Sequence, residues 1–179
     1  MMNIDAHFHI FDKNYISNEH ARYLINYDAP LDEWEMLANE QQITGGVIVQ
    51  PSFLGYDNSI LLNALKHHPM LLRGVAVVDP EISRHELGNL KRQGISGIRL
   101  NLFGDKDPLS TLEKNQALIS QIKDEDLHLQ IHHEDGLLNE LLLHIPAGVK
   151  IVVDHFGRPL IDNEFSLKNA GINKHLGML

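Results

Sequence analysis

The chain has no cysteine. That excludes disulfides, thiolate nucleophiles and cysteine-ligated zinc. Any metal would have to be held by His, Asp or Glu, a donor set that suits zinc, manganese or iron. No apolar run reaches the ~18 residues that a membrane helix requires. Met1-Met2-Asn3-Ile4-Asp5 contains no basic segment followed by an apolar one. No signal peptide is expected, and the expected location is the cytoplasm, with no membrane partner. Cations are outnumbered, 15 Lys and Arg against 24 Asp and Glu, for a net charge of −9. They are scattered along the chain with no basic block, so nucleic acid is not an expected partner, because phosphate contact needs clustered cations.

What the sequence does have is apolar residues in short runs, and histidine. It is 179 residues long and 43% hydrophobic, enough for one globular domain with a sizeable core. There are 12 histidines, and they do not form a consecutive run at either end. Runs rich in Val, Ile and Leu at 3–10, 46–51, 72–78, 97–102, 127–132 and 149–155 read as buried parallel strands. Helical patterns fall between them at 31–42, 58–67, 83–93, 110–124 and 136–145. Gly94 supplies a C-cap to the third, and Ser110-Thr111-Leu112-Glu113 matches a capping box opening the fourth.

Alternating strands and helices imply a parallel sheet with helices outside. The expected fold is α/β: an incomplete TIM (β/α)8-type barrel with about six parallel strands and outer helices. A full barrel takes ~250 residues, and ~200 is a practical minimum. The expected division is a partial barrel over 1–159 and a polar tail over 160–179, a truncated next βα unit. The competing architecture is an open doubly wound sheet, weakened by the lack of a glycine-rich loop after the first strand.

Side chains alternate across a strand, so polar residues on strands can be sorted by face. Asp5, His7 and His9 form a DxHxH pattern and are expected on one face, with Phe8 and Ile10 on the other. Two imidazoles at that spacing can converge on one metal ion. Gln50 and Ser52, Arg99 and Asn101, and His128, Gln130 and His132 also share faces, and Asp154 and His155 close the sixth run. In a barrel these polar faces point inward and collect at the C-terminal mouth, where barrel enzymes keep their sites. Each also has a plainer reading. His128 suits a structural role at a strand junction. His132 and His133 read equally well as a solvated loop pair, and Asp154 as a capping or orienting group. His67, His68, His85, His144 and His175 read as solvated, and Trp34 and the leucine stripe as core.

The segments around Asp5 to Asp12, Val49-Gln50-Pro51-Ser52, Gly97-Ile98-Arg99-Leu100-Asn101 and Val153-Asp154-His155-Phe156-Gly157-Arg158-Pro159 occur in the order found in a known family. Over residues 3 to 159 the chain resembles amidohydrolase-related (amidohydrolase 2) proteins, in the branch that contains 2-pyrone-4,6-dicarboxylate lactonase. The resemblance implies a barrel that hydrolyses a carboxylated or hydroxylated lactone by water attack on the ester carbonyl. It implies His7, His9 and His155 as metal ligands, with His155 also the catalytic residue that polarises the carbonyl. Ser52, Arg99, Asn101 and His132 would bind substrate, Arg99 by gripping a carboxylate. Zinc or manganese is the implied cofactor, and some relatives need none. In the family an aspartate on strand 8 activates the water. The match ends after strand 6, so a truncated chain is expected. One alternative is an inactive fragment or ligand-binding pseudo-enzyme without that aspartate. Another is a decarboxylase of the same superfamily. Open barrel edges would favour a homo-oligomer.

Overall fold

The computed structural model describes residues 3–15, 25–68, 71–133 and 137–158. The expected tail over 160–179, His175 and the start of the helix expected from 136 lie outside the described residues. All six expected strands form. They are β1 (Ile4–Phe8), β2 (Gly45–Val49), β3 (Leu72–Ala76), β4 (Ile95–Asn101), β5 (His128–His132) and β6 (Lys150–Val153). Their order in the sheet is their order in the chain. A doubly wound sheet reverses direction midway, whereas a barrel winds one way throughout. The sequential order therefore removes the doubly wound alternative.

The helices are α1 (Leu31–Glu40), α2 (Ser59–His67), α3 (Arg84–Arg92), α4 (Pro108–Lys114), α5 (Gln116–Asp124) and α6 (Leu138–Leu143). The chain falls into two compact units that divide between Arg99 and Leu100, within β4.

In the first unit β1, β2, β3 and β4 pair in parallel. Its core includes Ile48 and Val49 from β2, Leu61 and Leu65 from α2, Val75 and Ala76 from β3, and Ile95 and Ile98 from β4, all buried. Asn58 is buried just before α2. It donates to the carbonyls of Tyr56 and Val77 and accepts from the Val77 amide, tying the end of β3 to the start of α2. Helix α3 opens on a complete capping box: Ser83 Oγ accepts from the Glu86 amide while the Glu86 carboxylate accepts from the Ser83 amide. It closes before Gly94, whose φ of +101 is a conformation glycine adopts without strain. On α1, Leu37 is 62% exposed, and only Ala38 of that helix is buried.

In the second unit β5 and β6 pair in parallel, with Gln130 opposite Val152. The amide of Leu102, just past β4, donates to the His132 carbonyl at 2.8 Å. The helix expected over 110–124 is two helices and starts earlier. Asp107 is the cap, accepting from the Ser110 amide, and Pro108 occupies the first turn. Ser110 is thus the residue being capped. Asp-Pro was the stronger start signal, because proline gives up no helical hydrogen bond in the first turn. The helix breaks at Asn115, which closes α4 and opens α5.

Candidate functional site

The first strand carries a bulge. Asp5 is opposite Gly46 and Phe8 opposite Ile48, so three steps on β1 match two on β2. The extra residue inverts the alternation. Asp5 therefore turns to the same side as Phe8 and does not share a face with the histidines, contrary to the expectation. Trp34 of α1 shows this. Its indole Nε1 donates to Asp5 Oδ2 at 2.9 Å, and its ring stacks on Phe8 with centroids 4.1 Å apart. The other carboxylate oxygen, Oδ1, accepts from the His7 amide at 3.2 Å. Gly46 leaves room for this stack, since a Cβ there would lie 2.6 Å from Phe8 Cε1 and 2.8 Å from Trp34 Cζ2.

His7 and His9 remain together beyond the bulge. Their Nε2 atoms are 3.4 Å apart, with the rings nearly perpendicular. His9 Nδ1 donates to the Val49 carbonyl at 2.7 Å. That bond places the proton on Nδ1 and leaves the Nε2 lone pair facing His7. Two ring nitrogens bound about 2.0–2.1 Å from one tetrahedral ion stand roughly 3.3–3.4 Å apart. A carbonyl on the far ring nitrogen is also the usual orienting partner of a metal-binding histidine. The spacing of the two nitrogens is therefore that of two ligands on a zinc-like ion.

Elsewhere in this unit, Gln50 is buried and donates to the Asp57 carbonyl at 2.7 Å, a loop-holding contact. β2 ends at Val49, and Ser52 instead opens a short 3-10 turn, Ser52–Leu54, so strand alternation does not set the direction of Ser52. Arg99 is only 5% exposed on β4.

Within the second unit, several of the expected residues come together. The His132 ring lies 5.1 Å from Phe103 and 4.7 Å from His155. The Arg158 guanidinium sits 4.6 Å above Phe103. Asn101 Oδ1 accepts from the Phe103 amide, which fixes how the chain leaves β4. His155 itself stands in a left-handed turn. His155, Phe156 and Arg158 have φ of 50, 54 and 39, and Gly157 has 74. Each non-glycine residue in that region costs about 1–2 kcal/mol. Such strain persists where the surroundings hold it in place, often at a functional site. Asp154, at the start of the turn, is 3% exposed and accepts from Gln130 Nε2 at 2.5 Å. His128 is half-buried at the start of β5, and His133 is buried. His67, His85 and His144 are exposed, and His68 pairs with Glu35 at 3.1 Å.

Phe103, Arg158 and the Gln130–Asp154 bond did not emerge as site features from the sequence. Arg158 lay within the motif that carries the resemblance. Phe103 gave no signal beyond following a strand directly.

A singly wound parallel sheet with histidines two apart at the end of its first strand defines an incomplete TIM-type barrel with a candidate metal centre. The chain belongs to the amidohydrolase family, whose profile matches residues 4–179. It is 30% identical over 158 residues to a 2-pyrone-4,6-dicarboxylate hydrolase of Comamonas testosteroni, a match covering 87% of this chain and 52% of that protein. It is 26% identical over 161 residues to a 4-sulfomuconolactone hydrolase of Hydrogenophaga intermedia, covering 86% and 52%. A solved structure of a probable 2-pyrone-4,6-dicarboxylic acid hydrolase from Acinetobacter baumannii, with citric acid bound, superposes with a TM-score of 0.86 at 36% identity. That match covers 100% of this chain and 67% of the other. The chain spans about half the length of the curated relatives it matches.

Proposed function

We propose that this chain carries the histidine and arginine side of a site that hydrolyses a carboxylated lactone by water attack on its ester carbonyl. The observation that carries the reading is the His7–His9 pair, with Nε2 atoms 3.4 Å apart and His9 fixed by the Val49 carbonyl. The family resemblance adds His155 as a third ligand for zinc or manganese. Such an ion, when bound, supplies polarisation of the carbonyl and a more acidic water. Without one, a protonated imidazole at His155 donates to the carbonyl oxygen and stabilises the developing oxyanion. Arg99 offers a fork of donors to a substrate carboxylate. Ser52, Asn101 and His132 line the substrate. The named relatives act on lactones, and the Acinetobacter protein holds citric acid, a polycarboxylate. The family resemblance assigns the water-activating carboxylate to strand 8, so substrate binding is to be read alongside turnover.

The test uses 2-pyrone-4,6-dicarboxylate. Its binding is followed by calorimetry and its hydrolysis by loss of pyrone absorbance, with and without added zinc or manganese. Saturable binding that Arg99→Met weakens about tenfold or more supports the reading, since a charge-assisted pair is worth ~1.5–3 kcal/mol. Neither binding nor hydrolysis under any metal condition overturns it.

A further inference from the structure

We infer that Gln130 is a positioning residue for His155 and acts through Asp154. The inference rests on the reading of His155 as a site residue. Gln130 occupies the centre of β5 between Leu129 and Ile131, and all three are buried. An apolar side chain is the default at such a position. Gln130 instead spends its amide on one bond, from Nε2 to Asp154 Oδ1 at 2.5 Å. A buried carboxylate needs donors to stay ionised and fixed. This donor is rooted in a strand whose register is set, with Gln130 opposite Val152. Asp154 is the last residue before the backbone enters the left-handed turn at His155. A shift of the backbone at Asp154 is therefore passed along the chain to His155. His132 lies two residues along β5 on the same face as Gln130, and its ring packs 4.7 Å from His155. One face of β5 thus holds the base of the turn with one side chain and packs the ring with another.

The experiment records the histidine ring signals of the full chain by long-range proton–nitrogen NMR, without metal or lactone. His155→Gln assigns the His155 signal. Gln130→Met keeps the length and removes the donor. The double substitution Gln130→Glu with Asp154→Asn restores an amide–carboxylate bond with reversed polarity. Gln130→Met is expected to shift and broaden the His155 signal while those of the exposed His67 and His85 hold their place. The double substitution is expected to return it sharp to its original position. An unmoved His155 signal in Gln130→Met overturns the inference. So does a change shared equally by His67 and His85, which would mark general loosening. If Gln130→Met does not fold, the double substitution decides alone: a sharp signal in place supports the inference and a displaced one overturns it. The spectra need neither ion nor lactone, so failure of the pyrone dicarboxylate to bind would overturn the proposed function and leave this result standing.

Discussion

Asp5 and His7 differ in role because of one extra residue between two strands. The bulge hands the carboxylate to Trp34 and lets the two histidines face each other. Gly46 is the opposing requirement, because the Phe8–Trp34 stack fills the space a side chain would use. Gly46→Ala is expected to destabilise the fold by about 1–3 kcal/mol, the usual cost of overpacking. Urea denaturation followed by the single tryptophan reads this directly, and an unchanged midpoint would mean that the stack yields easily. His9 makes a sharper case. It contributes a ring nitrogen to the pair and is itself held by a backbone carbonyl. His9→Gln is expected to abolish zinc binding in equilibrium dialysis while leaving the far-ultraviolet circular dichroism unchanged. Retained stoichiometric zinc would place the ion elsewhere.

Helix boundaries follow chemistry a few residues long. Asp107 satisfies the Ser110 amide at the start of α4. Asp107→Ala is expected to cost about 1 kcal/mol, the typical loss on removing an N-cap. Thermal unfolding of the variant against the unsubstituted chain measures it. In α3 the cap is sensitive to pH. The Ser83 hydroxyl, and then its amide, donate to the Glu86 carboxylate and hold its pKa below the ordinary 4.5. A carboxyl whose folded pKa is depressed contributes its stability fully above the unfolded value and loses it as pH falls through the folded one. The capping contribution is therefore expected to be complete at neutral pH and to fade only below about 4.5. Carbon-detected titration of Glu86 is expected to lose its downward offset in Ser83→Ala. An offset that survives would assign the shift to another donor.

At the scale of the whole chain, the sheet order is sequential and β6 is its last strand among the described residues. β6 is open on its faces as well, with Ile151 37% and Val152 41% exposed. An exposed apolar edge strand invites pairing with another chain. Concentration-dependent association is expected in sedimentation velocity, and Val152→Lys is expected to reduce it, because lysine on an edge opposes such pairing. A sedimentation coefficient independent of concentration would remove the expectation of a homo-oligomer. No helix among the described residues is long and apolar enough to cross a membrane.

The sequence by itself determined the parallel architecture. Short aliphatic runs between amphipathic helices can bury their surfaces in few other ways, and all six strands fell where their hydrophobic runs did. It also drew attention to His7, His9, Arg99, His132 and His155, because polar residues in or beside short aliphatic runs stand out against an apolar background. Strand parity could be read only while the pairing was regular. The tertiary structure alone placed the bulge that moved Asp5 to the helix side, since a bulge is a mismatch between two strands and neither strand encodes it. Ser52 illustrates the same limit, because β2 ended and a 3-10 turn began before the alternation reached it. Long-range partners were likewise invisible. Gln130 and Asp154 are 24 residues apart, and nothing local to either predicts that one amide and one carboxylate meet in the interior. The left-handed turn at His155 belongs to this class too, because local preference disfavours it and only packing around it can hold it.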